Sequence, residues 1–382
     1  MCAKKNKRHG WLHGLAFLPA ALVATGLLCC FLARHVNPQI LFFPSLAGFA
    51  FPVLLLLGMG FAILYLLFLK WKFVLFVTCV ALNYPNIVAL LRGKGAPEPA
   101  KSEWAEPGRF KVMSYNVRLF NFYGEIPGEK EHIKEQLLDY VKDQDADIVC
   151  FQEYYESKDG SFASSRTLRQ AGYLHHTRPA ANKNFYYGNI IYSKFPILRE
   201  GSLQGMSTFD VVFADLLVNK DTLRVYDIHL ESNRFDNTDK RFFETLRTAS
   251  ATPVKEMNYT HGARRMLGKL KKATVTRSEQ VRQIILHART THAPSRILVC
   301  GDMNDQPVSF SYGHLRRNGF TDAFVEAGSG FGQSYRGYYP SYRIDYVLYQ
   351  GNLDVVFFNT RNVDYSDHKP LTAVFSRKKT GK

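Results

Sequence analysis

The strongest constraint on this chain lies in its first hundred residues. No side chain from Trp11 to Ala33 carries a formal charge, and none does from Ile40 to Leu69. After Lys70-Trp71-Lys72 a third apolar run goes from Phe73 to Leu91. A backbone taken out of water must satisfy its own polar groups, which favours helices, and a bilayer span needs roughly 20 apolar residues. Three transmembrane helices are expected, over residues 11–33, 44–69 and 73–91, within a membrane region at 1–93. The second is tilted or kinked near Pro52, and the third is weakened by Asn83, Pro85 and Asn86. A cleaved signal peptide fits less well, because the first run is too long and two more follow it.

The excess of positive charge on cytoplasmic loops places the Lys4–Arg8 cluster inside, and with it the hairpin at Lys70 and Lys72. The loop Arg34–Pro38 is then outside, and three crossings put everything after residue 92 on the outer side of the membrane. Arg92 and Lys94 weigh against this. A third run lying on the interface would leave the larger domain cytoplasmic.

Residues 94–108 are rich in Gly, Ala, Pro, Lys and Glu without an apolar period, which marks a linker. The soluble part runs over 109–376, and 377–382 is a basic tail. Residues 1–100 hold nine Lys/Arg and one acid, so half of the net charge of +16 sits there. The remainder is moderately basic, which suits an anionic substrate or membrane surface without demanding one. Six cysteines show neither a pairing framework nor zinc spacing.

In the soluble part, strand-like runs repeatedly end in polar residues. Phe110–Val117 carries Asn116 near its end, where an amide is as readily a turn residue as a ligand. Ala146–Glu153 contains the unbroken apolar run Ile148–Phe151, the mark of a strand covered on both faces. Glu153 emerges from it, and a carboxylate beside a buried strand is costly unless a cation pairs with it. Tyr187–Ile197 is a further strand with a turn at Lys194–Pro196, and His175 and His176 before it read as surface or packing residues. Val211–Val218 and Leu223–Leu230 form a hairpin with His229 near its end.

Residues 233–290 read as a basic amphipathic helical segment, whose charges either form a solvated face or contact phosphate or lipid headgroups. Arg296–Asp305 runs a buried strand into Gly301, then presents Asp302 and Asn304 on one face if the segment stays extended. Asp345 lies near the start of the strand Arg343–Tyr349. Tyr365-Ser-Asp367-His368-Lys-Pro370 precedes the last strand, Leu371–Phe375. Two helices, at Glu129–Lys142 and Ser164–Gly172, complete the pattern.

Asn116, Glu153, His229, Asp302, Asn304, Asp345, Asp367 and His368 thus adjoin the ends of six predicted strands. If those ends converge on one rim, they assemble hard oxygen ligands, amides and two imidazoles, with no Cys in a ligand pattern. Such a set favours Mg²⁺ or Mn²⁺ over zinc and suits metal-assisted phosphoester hydrolysis by water.

These motifs, in order, resemble those of the endonuclease/exonuclease/phosphatase superfamily, of the deoxyribonuclease type: Ser-Tyr-Asn116, Phe-Gln-Glu153, Asp-Ile-His229-Leu, Gly-Asp302-Met-Asn304, Arg-Ile-Asp345-Tyr and Ser-Asp367-His368. The preceding apolar runs resemble a membrane-attached bacterial branch of it. The resemblance implies an α/β (α+β) four-layer sandwich with two central mixed β-sheets, here preceded by an all-α transmembrane segment. It implies Glu153 as main metal ligand, assisted by Asn116 and Asp367. Asp302 and Asn304 would position or deprotonate the water, with Asn304 and Asn116 binding substrate phosphate. His368 would be general base or phosphate clamp, oriented by Asp345, and His229 would bind and protonate the departing oxygen. The deoxyribonuclease type pairs its first His with an acid from the preceding region. Between Gly172 and Ile197 this chain has no Asp or Glu, so His229 is expected to lack that partner.

Two substrate classes follow: nucleic acid, or a phospholipid, sphingomyelin or inositol phosphate bearing the same bond. A third expectation, a membrane receptor on an inactive scaffold, fits poorly with the full set of acids and both histidines. The partners expected are a phosphodiester substrate and the bilayer, with no protein partner.

Overall fold

A computed structural model describes residues 5–68, 70–100, 104, 106–126, 129–203, 206, 210–239, 241, 259–290, 294–337 and 343–378. The side chains of the Lys4–Arg8 cluster, residues 242–258 of the basic segment and the tail beyond Lys378 lie outside that description. Two compact units form: residues 1–89 with 306–314, and residues 90–305 with 315 onward.

The first unit is helical. The first run forms the helix Lys5–Ala33. The second is not one helix over 44–69 but two, Phe43–Phe49 and Phe51–Phe68, broken at Ala50. Pro52 explains the break, since it fits only the first turn of a new helix. Among the described residues, Phe51–Phe68 is the helix long and apolar enough to cross a bilayer unaided. The third run is likewise two pieces, Phe73–Leu82 and Tyr84–Leu90, bent by 57°. Pro85 removes an N–H and crowds the carbonyl four residues back, so the helix turns at Asn83. The bend is stabilised by side chains. Asn83 Nδ2 donates to the carbonyls of Leu27 and Cys79, both at 2.9 Å, and Asn86 Nδ2 donates to Asn83 Oδ1 at 2.7 Å. Arg34 Nη1 reaches Asn86 Oδ1 at 3.1 Å. Polar groups in an apolar bundle thus satisfy one another.

The second unit holds two mixed sheets with helices. Its strands are β1 (Phe110–Asn116), β2 (Ile148–Ser157), β3 (His175–His176), β4 (Ala180–Ala181), β5 (Phe185–Ser193), β6 (Ile197–Ser202), β7 (Val211–Val218), β8 (Asp221–His229), β9 (Arg296–Asp302), β10 (Thr321–Asp322), β11 (Asp345–Gln350), β12 (Leu353–Thr360) and β13 (Leu371–Arg377). One sheet has the order β12-β13-β1-β2-β5-β3, with β4 also on β5; the other has β10-β11-β9-β8-β7-β6. In each, two central strands are parallel, β1 with β2 and β8 with β9, and the pairs beside them are antiparallel.

The sheets pack face to face through these central strands. Met113, Tyr115, Val149 and Phe151 point away from that interface into a core with Leu137, Leu138 and Val141 of the helix Lys130–Gln144. This is the α/β sandwich the motifs imply. Two details depart from the sequence reading. The turn at Lys194–Pro196 carries the chain from one sheet to the other, so Tyr187–Ile197 is not one strand. Strand β12 has no counterpart among the expected elements. The linker is also partly pinned: the backbones of Arg92 and Gly330 bond reciprocally at 2.9 and 3.0 Å.

Candidate active site

The topology explains why distant residues meet. Asn116 ends β1, His229 ends β8 and Asp302 ends β9, with β1 parallel to β2 and β8 parallel to β9. Asp345 opens β11, which runs antiparallel to β9 and pairs Asp345 with Asp302. Asp367 and His368 immediately precede β13, antiparallel to β1. All these positions fall at one rim of the two stacked sheets.

Glu153 reaches that rim through a bulge. The pairing of β2 with β5 shifts between Phe151 and Tyr154, and Glu153 has a left-handed φ of 53°. In a regular strand Gln152 and Glu153 would point to opposite faces; the bulge turns both toward the second sheet. Gln152 Nε2 donates to Asp227 Oδ1 at 2.6 Å across the interface. Burial holds the Asp227 carboxyl well above the usual carboxylate range. Asn304, with φ 52°, and the run Arg118–Asn121, with φ between 45° and 58°, are also left-handed. Such backbone costs on the order of 1–2 kcal/mol per residue and is commonly concentrated at functional sites.

Asn116 Nδ2 donates to Glu153 Oε1 at 3.0 Å and lies 3.3 Å from Asp302 Oδ2, bridging two carboxylates from different sheets. His229 Nε2 stands 3.7 Å from both of those oxygens. Among the described residues these are the only ionic contacts of the His229 ring, and an acid from the region before it is not among them. His368 Nε2 is also 3.7 Å from Asp302 Oδ2, while its Nδ1 faces Asp345 at 2.9 Å. Asp302 Oδ1 accepts from the Asn304 N–H at 2.7 Å, and Asn304 Nδ2 donates to the Leu230 carbonyl at 2.9 Å. Six predicted residues therefore meet through side-chain contacts. Asn304 joins them through its backbone, and Asp367 turns aside to Arg118 Nη1 at 2.9 Å.

Charge follows from this geometry. Burial, and then the neighbouring Asp345, push the Asp302 carboxyl up to about 6. Burial would lower the His368 imidazolium, but Asp345, Asp302 and the hydrogen bond outweigh it and raise the group to about 10. Both ring nitrogens of His368 thus face carboxylates, and the ring is cationic at neutral pH.

Several supporting residues were not singled out as site residues in the sequence, although Ser366 lies within the Ser-Asp367-His368 motif. Ser334 Oγ accepts the N–H groups of Ile344 and Asp345, both at 3.0 Å, and fixes the start of β11. Ser366 Oγ donates to the Asn116 carbonyl at 2.8 Å and accepts from the His368 N–H at 3.2 Å. Arg118 was legible only as a basic residue two positions after Asn116. The donor set fits a hard divalent cation: carboxylates of Glu153 and Asp302, an amide, and no thiolate. Asp302, Asp345 and His368 also cluster within 4.8 Å. In that group the imidazole faces a carboxylate at each nitrogen.

The model of the Endonuclease/Exonuclease/phosphatase family matches residues 113–368, and the chain belongs to that family. Its members are hydrolases of phosphoester bonds. A domain of unknown function matches residues 13–90. Among solved structures, a family member from Bacteroides vulgatus has a TM-score of 0.50 at 15% identity, over 71% of this chain and 99% of that one. A member from Beutenbergia cavernae gives 0.46 at 16% identity, over 71% and 72%. The human Nocturnin catalytic domain gives 0.47 at 18%, over 71% and 95%. These likenesses concern the fold. No curated protein matches the chain.

Proposed function

We propose that this protein is a membrane-anchored phosphodiesterase that uses a divalent cation, Mg²⁺ or Mn²⁺, and water. The observation that carries the reading is the junction of two sheets where Asn116 and His229 each reach both Glu153 and Asp302, at 3.0 to 3.7 Å. Glu153 is the main cation ligand, with Asn116 and Asp367 assisting. A cation held by these residues would supply positive charge against the phosphate and polarise the bond to be cleaved.

The base is assigned to Asp302. His368 already has a carboxylate at each nitrogen, which makes it a cationic phosphate clamp rather than a proton acceptor. Asp302 keeps one oxygen on the Asn304 N–H and turns the other to the pocket, where it takes the proton of the attacking water. Asn304 and Asn116 bind the phosphate by their amides. His229 faces the pocket with Nε2 and protonates the departing oxygen.

A panel of plasmid DNA, sphingomyelin, phosphoinositides and bis-p-nitrophenyl phosphate, with Mg²⁺ or Mn²⁺, tests this. Glu153→Gln and His368→Ala are each expected to lose about 100-fold or more on whichever substrate is cleaved. Full turnover by a folded variant removes that residue from the machinery.

One observation favours the lipid class. On the helix Tyr259–Thr290, Arg265 and Lys269 pair with Asp239, but Arg264, Lys271 and Lys272 are exposed, with no ion pair among the described residues. Leu267 lies between them, 42% exposed. Cations around an apolar residue on one helix face suit anionic headgroups. Cleavage of DNA alone, with every lipid untouched, reverses that choice. Anchoring is assigned to residues 1–93, with the catalytic domain extracytoplasmic. A reporter fused after Lys382 is expected to signal outside, and a cytoplasmic signal overturns three crossings.

A further inference from the structure

The chain after β8 leaves the sheet at Leu230 and runs without regular structure to residue 236. No ladder fixes it, yet it follows His229 directly. What holds it is the helix Tyr259–Thr290. Arg277 is fully buried, and its guanidinium spreads over two loops of the site. Nη1 donates to the Glu231 carbonyl at 2.8 Å and to Asn233 Oδ1 at 3.1 Å, in the loop after His229. Nε lies 3.3 Å from Asp305 Oδ2, in the loop after Asn304. Nη2 is anchored on Thr274 Oγ1 at 3.1 Å. One turn along, Gln280 works on the same loop: Oε1 accepts the Glu231 N–H at 2.9 Å, and Nε2 donates to Asp210 Oδ1 at 3.1 Å. The Asp210 carbonyl in turn accepts the His229 N–H at 2.8 Å.

We infer that Arg277, seconded by Gln280, is a positioning residue that sets the separation of His229 from Asp302 and Asn304. A guanidinium is suited to this because its donors form a planar fork of fixed angles. A lysine keeps the charge, but its donors radiate from a single nitrogen and cannot span the separated acceptors that the guanidinium reaches. The inference rests on the phosphodiesterase reading for its catalytic consequence. The Glu153 side of the pocket does not touch this clamp, so cation binding is separable from it.

The test compares full-length protein, wild type, Arg277→Lys, Gln280→Met and Arg282→Gln, the last an exposed residue of the same helix that pairs with Glu279. On the substrate found by the panel, Arg277→Lys is expected to lower kcat by about 10- to 100-fold, the scale of a small misplacement. The Mg²⁺ concentration giving half-maximal rate stays where it is. Gln280→Met falls between, and Arg282→Gln matches wild type.

A second measurement needs no turnover. With histidines ¹³C-labelled at Cε1, the His229 resonance, assigned by its loss in His229→Gln, is expected to shift in Arg277→Lys while that of His368 does not. An unshifted His229 resonance in folded Arg277→Lys overturns the clamp, as does unchanged kcat. If Arg277→Lys fails to fold, Gln280→Met takes its place in both measurements, and an unshifted resonance or unchanged kcat there overturns the clamp equally. A wild type inactive on every substrate removes the phosphodiesterase reading, and the resonance then decides the clamp alone.

Discussion

His368 and Asp302 are opposite cases of the same environment. The imidazolium is favoured by its partners, so its contribution to stability is complete below its ordinary value near 6.5 and is lost as pH rises through about 10. Asp345→Asn removes the closest partner. The alkaline limb of the rate profile is expected to move toward neutral pH, with the hydrogen bond but not the charge retained. Asp302 is held the other way. With its carboxyl pushed up to about 6, ionisation costs stability as pH rises from the ordinary carboxylate range through that value. A divalent cation relieves that cost only where the carboxylate is charged. Mg²⁺ at about 100 times its dissociation constant adds about 2.7 kcal/mol, so the melting temperature is expected to climb by several degrees at pH 7.5 and by much less at pH 5. Equal shifts at both pH values, read by calorimetry, count against a cation placed close to Asp302.

Strands show most plainly where sequence reasoning succeeded and where it stopped. β2 and β9 were legible because Ile148–Phe151 and Ile297–Cys300 are unbroken apolar runs, which only strands covered on both faces require. Glu153 was legible as a polar residue at the end of such a run. Its left-handed backbone was not, because glutamate has no preference for that region. β12 escapes a sequence reading although Gly351-Asn352 offers a turn signal; the bulge between Val355 and Phe357 breaks its alternation. Arg277 was hidden among the charges of a basic segment, where one buried guanidinium looks like any solvated one.

Gly301 is the sharpest test at this scale. It has φ 133°, and a Cβ there would lie 2.0 Å from the Ile228 carbonyl oxygen of the neighbouring strand. Gly301→Ala must push β8 from β9, the two strands that carry His229 and Asp302. A loss of about 3 kcal/mol or more in urea unfolding is expected, together with lost activity. Alanine tolerated without loss excludes so close an approach of the two strands.

Across the whole molecule, the helical unit departs from simple spans in ways composition cannot report. Run length is visible in sequence; whether a run continues through Pro52 or turns at Asn83 depends on which side chains meet the freed carbonyls. Asn83→Leu leaves the Leu27 carbonyl without this donor and is expected to lower the yield of folded protein, measured by size-exclusion profile. An unaltered profile means that the bend needs no such support.

The pairing of β1 with β13 has a consequence for synthesis. The domain's first strand and its last are neighbours, so the pocket wall supplied by residues 366–368 is missing until the whole domain has been made. A nascent chain that already holds Asn116 and Glu153 still has no His368 beside them. A closed pocket is thereby withheld from every polypeptide that stops short of residue 368.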